Sequence, residues 1–224
     1  MFLVGHAAWA YVISRPLASV LRVKINPYLV MLLGMIPDVD ILLQEYIKHR
    51  SVTHSVLLWG IAFIPLFIMY RRRSIPYFVA VIQHIIFGDV VVASTNILWP
   101  LRFQVGMGNS LLSPLNIAME FIGMGMALLL ILRYDKAMVA MNSRNILGMV
   151  VMLPLIGSML YLFTTDGLLF LDHILGIGGI SSKSIIRGVY DAIDILAIVL
   201  HISFAALLSA SVLQGLRALL VRMH

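Results

Sequence analysis

Seven histidines and ten acidic residues are the groups in this chain able to do chemistry, and several of them cluster. His6 stands in the first apolar stretch, Asp38 and Asp40 in GMIPDVD, and His49, Arg50, Thr53, His54 and Ser55 in HRSVTHS. His84 and Asp89 follow in HIIFGD. A carboxylate inside a membrane helix costs at least about 2.5–3.5 kcal/mol on insertion scales, so each needs a partner. No lysine lies within these segments. A divalent cation compensates several carboxylates at once, and neutral imidazoles are its natural co-ligands. With no cysteine in the chain, any such metal must be held by histidine and carboxylate, and disulfide or thiolate chemistry is excluded.

Spacing adds detail. Asp38 and Asp40 follow a proline, where extended or turning backbone would let residues two apart share a face. His49 and His54 are five apart, about 140° around a continuous helix, so both reach one ion only if His49 lies in the preceding loop. On that reading Thr53 or Ser51 caps the next helix and His54 sits in its first turn. His84 and Asp89 repeat the five-residue spacing. Either a π-bulge near Gly88 brings them together, or the helix ends at Gly88 and Asp89 folds back. His6, Asp38, His54, His84 and Asp89 are the expected ligands, with Asp40 bridging a second ion or orienting a ligand histidine. Thr53 and Ser55 are expected to support them from behind. His49 could move protons near neutral pH, and Arg50 could hold an anion. In the C-terminal half Asp194 and His201 are seven apart on one helical face. They suit a second layer around the metal, a proton path or an inter-helix hydrogen bond.

The elements that must position these groups are membrane helices. The chain has 224 residues, is 61% hydrophobic and only 12% charged, and has a mean hydropathy of +1.01. About 25% charged residues is usual for a soluble domain, so a disordered chain and a water-soluble enzyme are both excluded. Seven stretches approach the roughly 20 apolar residues a spanning helix needs. They run from 2 to about 20 (interrupted by Arg15-Pro16), 27 to 43, 53 to 70, 74 to 93, 111 to 132, 146 to 163 and 189 to 215. The expected fold is therefore one all-α integral membrane domain over residues 1–224, with the motifs in 1–100 and supporting helices in 101–224. The first stretch reads as a retained helix, since no basic residue precedes it and no small-residue cleavage site follows.

A net charge of +6 and a pI near 9.8 would suggest nucleic acid in a soluble protein. Here the basic residues fall in short clusters between apolar runs, as topology signals do. Eleven of the 16 lie in one set of alternate loops, including Arg71-Arg72-Arg73, and five in the other. The positive-inside rule then sets the N-terminus outside and the C-terminus in the cytoplasm of a cell-membrane protein. That topology rests on Lys and Arg alone, yet it carries His6, Asp38/Asp40, HRSVTHS and His84/Asp89 to the same membrane face.

With these motifs in hand, the chain resembles a known family. GMIPDVD, HRSVTHS and HIIFGDVVVASTNILWP, with a histidine in the first helix, are similar to the membrane-bound metal-dependent hydrolases, whose bacterial members are described as LexA-regulated inner-membrane proteins. The resemblance covers roughly residues 1–100. It implies a multi-pass hydrolase with a His/Asp metal site, and a distant similarity to zinc-dependent phospholipase C. The family pattern falls on His6, Asp38, Asp40, His49, His54, His84 and Asp89. The usual spacing there is His-x-x-x-Asp, whereas four residues separate His84 from Asp89 here.

Two functions of different class follow as expectations. One is hydrolysis, in which a zinc ion (or manganese) supplies hydroxide against an ester or phosphodiester of a lipid or lipid-linked substrate at the outer face, with Arg50 stabilising the developing anion. The other is a metal or proton transporter using the same residues as a transit site. Transport favours access from both sides and two related halves, while these motifs crowd to one face. A scaffold holding a structural metal is a third reading.

Overall fold

The structure is a computed structural model that describes residues 1–43, 46, 48–92, 94–109 and 113–135. The expected helices over 146–163 and 189–215, together with Asp194 and His201, lie outside the described residues.

The described part is mostly helical. Helix α1 spans Leu3–Val20, α2 spans Pro27–Met35, and a 3₁₀ segment continues it over Ile36–Leu43. Helix α3 spans Val56–Tyr70, and α4 spans Ile75–Gln83. A π-helical turn, His84–Asp89, runs on into the short α5, Val90–Val92. Strands β1 (Thr95–Asn96) and β2 (Gln104–Val105) pair antiparallel, and α6 covers Pro114–Tyr134.

Helix α1 is the central element, packed on α2, α4 and α6. Its buried face is built from small residues, including Ala7, Ala8, Ala10, Ser14 and Ala18, which let neighbouring backbones come close. Gly34 shows how close: a Cβ there would lie 2.4 Å from Ala10 Cβ and 2.9 Å from the His6 carbonyl oxygen. Around this seam Tyr11, Tyr28, Met31, Met124 and Ile131 complete the apolar core. Cross-links fix the relative directions. Ser14 Oγ donates to the Pro76 carbonyl at 2.8 Å, and Gln83 Nε2 donates to the His6 carbonyl at 3.1 Å, so α1 and α4 run antiparallel.

Arg15-Pro16 does not interrupt α1, contrary to the expectation from sequence. A proline removes one backbone donor, and the charge beside it is paired. Arg15 Nε donates to Asp135 Oδ2 at 2.8 Å, Tyr11 Oη donates to the same oxygen at 2.6 Å, and the guanidinium lies over the Tyr134 ring. The first helix is thereby tied to the end of α6.

The second and third apolar stretches also differ from continuous helices. Pro37 falls where α2 gives way to the 3₁₀ segment. At about 1.5 Å and 2.0 Å rise per residue, nine α and eight 3₁₀ residues still extend roughly 30 Å, about the hydrocarbon thickness. Helix α3 starts three residues later than expected, because Ser55 is its cap and accepts from Leu58 N at 3.3 Å. Among the described residues one continuous helical stretch, Ile75–Val92, is long and apolar enough to cross a membrane. Helix α3 exposes Ile61, Ile64, Phe67 and Ile68, a surface suited to hydrocarbon rather than water.

Candidate metal centre

The antiparallel packing collects four chain segments at one end of the bundle: the start of α1, the 3₁₀ segment, the loop before α3 and the π turn. His6, Asp40, His54, His84 and Asp89 are all buried there. Asp38, His49 and Arg50 form the more open side, with side chains 9%, 28% and 23% exposed.

The π turn settles how His84 and Asp89 relate. In an α-helix their spacing would splay them about 140° apart. The wider i→i+5 turn returns residues five apart to nearly one face, and His84 Nε2 lies 3.5 Å from Asp89 Oδ2. Gly88 within that turn has a second task. A Cβ on it would lie 2.2 Å from His6 Cε1 and 2.6 Å from His6 Nδ1, so the glycine admits the imidazole of α1. The His6 ring in turn stacks on that of His84 at 3.6 Å and 19°.

Asp38 and Asp40 do not point the same way. In a 3₁₀ helix, with three residues per turn, positions two apart lie on different faces, unlike the extended backbone assumed from the proline. Asp38 Oδ1 lies 3.4 Å from both His54 Nε2 and His84 Nε2. Asp40 instead binds the HRSVTHS loop. His49 Nδ1 donates to its Oδ1 at 2.8 Å, while Thr53 Oγ1 and Arg50 N donate to its Oδ2 at 2.6 and 3.2 Å. This grip holds Arg50 in the left-handed region at φ 61°, which costs a non-glycine residue on the order of 1–3 kcal/mol. The Arg50 Nε is then 3.5 Å from Asp89 Oδ1.

The hydrogen bonds also fix the imidazole tautomers. A carbonyl oxygen only accepts, so His84 Nδ1, 2.7 Å from the Gly34 oxygen, carries a proton that it donates. The Thr53 hydroxyl spends its one proton on Asp40, so at 3.0 Å from His54 Nδ1 it accepts from that nitrogen. Both histidines, when neutral, therefore present Nε2 as a bare lone pair, the arrangement typical of metal-ligating imidazoles. His54 Nε2, His84 Nε2, Asp89 Oδ2 and both ring nitrogens of His6 are buried without a hydrogen bond among the described residues. His54 Nε2 approaches Asp89 Oδ2 to 2.9 Å. Asp38, Asp40, His49 and His54 offer ligand atoms within 4.8 Å of one another, as do His6, His84 and Asp89. Asp38, Asp40 and Asp89 bring three carboxylates to the centre, of which Asp89 meets the Arg50 guanidinium, and a dication would offset the remaining negative charge. A mixed nitrogen and oxygen donor set is one that divalent metal ions take.

Of the residues singled out from sequence, Ser55 stands apart. It caps α3 and donates to the Trp99 carbonyl at 2.8 Å rather than to a candidate ligand. Two supports have no sequence signal: the Gly34 carbonyl behind His84, which is backbone, and Gln83, which holds the His6 carbonyl. Trp59 Nε1, donating to the Thr53 carbonyl at 2.7 Å, is a third. Glu120 of α6 also meets the start of α1. It accepts from Phe2 N and lies against Gly5, one residue from His6.

A helical membrane protein with a buried His/Asp centre at one end of its bundle is the class that fold and site define. The chain belongs to the YdjM inner membrane protein family, whose family model matches residues 1–167. No curated protein and no solved structure matches it.

Proposed function

We propose that this chain is a multi-pass, metal-dependent hydrolase of the inner membrane, with about seven helices, its N-terminus outside and its C-terminus cytoplasmic. The observation that carries the reading is the convergence of His54 Nε2, His84 Nε2, Asp38 and Asp89 while each of those two histidines donates its other nitrogen's proton to an oxygen behind it. His54, His84, Asp38 and Asp89 would hold the ion, with His6 beside them. A bound zinc or manganese ion supplies Lewis acidity and lowers the pKa of a coordinated water toward 7. Asp40 orients rather than ligates, since both its oxygens are taken by His49, Thr53 and the Arg50 amide. His49, polarised by Asp40 and partly exposed, is placed to move protons at the open side. Arg50 is placed to hold the negative oxygen of an ester or phosphodiester. A site at the end of a membrane bundle favours a lipid or lipid-linked substrate.

The test is elemental analysis of protein purified in detergent without chelators, wild type beside His54→Ala and His84→Ala, followed by a panel of phosphodiester and lipid esters. Near-stoichiometric metal in wild type, lost in both variants, with turnover by the loaded protein, is the expected result. Wild type that stays metal-free after reconstitution overturns the reading. The carboxylates would then be balanced by protonated His54 and His84, and the cluster would be a proton path or a packing network.

A further inference from the structure

The hairpin that follows the π turn exposes an unusual amount of apolar surface for a connection. Between β1 and β2 it runs Ile-Leu-Trp-Pro-Leu-Arg-Phe, and beyond β2 comes Gly-Met-Gly. Leu101, Phe103 and Met107 are 60%, 51% and 65% exposed. In water such a patch is an interaction site by default.

Its attachment is specific. The Ile97 carbonyl accepts from Val56 N at 2.8 Å and the Trp99 carbonyl accepts from Ser55 Oγ, so one side is fastened to the residues directly after His54. Met107 N donates to the Val90 carbonyl at 2.7 Å and Asn109 Nδ2 to the Val91 carbonyl at 2.9 Å, fastening the other side directly after Asp89. The hairpin thus borders the candidate centre at two of its members. It also binds the first residues of α3, a helix that itself exposes Ile61, Ile64, Phe67 and Ile68. Because the chain belongs to an inner-membrane family, hydrocarbon is the surrounding phase that exposed apolar side chains of this kind meet. Arg102, exposed between Leu101 and Phe103, has the reach to place its guanidinium among headgroup phosphates while its stem stays in the apolar zone. Trp59 and Trp99 are both bonded to the residues that open α3, and tryptophan is enriched at membrane interfaces.

We infer that residues 97–107 form a lip immersed in the lipid leaflet on the site's side of the membrane, with Leu101, Phe103 and Met107 among acyl chains, so that a leaflet lipid is the molecule presented to the open side of the His/Asp centre. The role of the lip in presenting substrate rests on the hydrolase reading above; its immersion does not.

The cysteine-free sequence makes the test direct. Single cysteines at positions 101, 103 and 107 are spin-labelled, with Phe67→Cys on the apolar face of α3 and Lys24→Cys in an exposed loop as references. The full chain is reconstituted in vesicles of phosphatidylethanolamine and phosphatidylglycerol. Accessibility to oxygen, which partitions into hydrocarbon, is compared with accessibility to a water-soluble nickel chelate. The expected result is that all three lip positions behave like position 67, with an oxygen-to-nickel accessibility ratio at least about tenfold that of position 24. Ratios like that of position 24 place the lip in water and overturn the inference. Labels shielded from both reagents show the surface covered by protein, another part of this chain or a second copy, and overturn it too. Metal content is measured on separate, unlabelled protein, so loss of the hydrolase reading and loss of the lip are distinguishable.

Discussion

Gly88→Ala puts the packing of the centre to a quantitative test. The new Cβ would sit 2.2 Å from His6 Cε1, against an ordinary carbon–carbon contact of about 3.5 Å. Something must give by about 1.3 Å. The His6 ring is stacked on His84 at 3.6 Å, so a shift of that size breaks the stack and carries the imidazole off the centre. Overpacking of this kind costs about 1–3 kcal/mol. The opposing term is helix propensity, in which alanine gains up to about 1 kcal/mol over glycine. In wild type the clash wins, and Gly88→Ala destabilises. In a His6→Ala background the obstructing ring is gone, and the same substitution is neutral or stabilising by up to about 1 kcal/mol. The assay is a double-mutant cycle of denaturant unfolding in detergent, followed by tryptophan fluorescence. The expected coupling between positions 6 and 88 is about 1–3 kcal/mol, with a change of sign for Gly88→Ala between backgrounds. Equal cost in both backgrounds would refute the account, because Gly88 would then serve the backbone of the π turn and not the His6 ring.

Further expectations follow from the same contacts. Thr53→Val keeps the shape but removes both the donor to Asp40 and the acceptor for His54. It should lower metal affinity about 10–100-fold in a chelator competition, while Thr53→Ser stays near wild type. Stripping metal with a chelator should lower the unfolding temperature of wild type, with recovery on adding zinc. A ligand held at 100 times its dissociation constant contributes about 2.7 kcal/mol, and His84→Ala protein should show no such response. Ser55→Ala removes the α3 cap and the donor to Trp99, so it should destabilise by about 1–2 kcal/mol in the same unfolding assay. Equal stability would mean water replaces the cap.

The chemical types at the centre were legible in the linear sequence because a membrane taxes charge. Aspartates and histidines inside apolar runs stand out there, and the count of Lys and Arg in alternate loops already grouped His6, Asp38, Asp40, His54, His84 and Asp89 on one face. Residue spacing went less far. It left two possibilities for His84 and Asp89, since a π turn differs from an α turn by one added residue that leaves no fixed composition behind. It missed the backbone of Asp38 and Asp40, because a proline is compatible with extended, turning or 3₁₀ backbone; in the 3₁₀ segment the two carboxylates still meet at His54 but approach its opposite nitrogens. The cap of α3 went to Ser55 rather than to Thr53 or Ser51, because the Thr53 hydroxyl is already committed to Asp40. The orienting groups behind the ligands were beyond reach of any pattern. The Gly34 carbonyl is backbone, Gln83 is an ordinary polar residue in a helix, and Glu120 lies 118 positions from the backbone amide it accepts from. Local chemistry, then, is set by residue type. Which nitrogen of each histidine faces the centre is set by the oxygen behind it, and that oxygen arrives only when the helices pack.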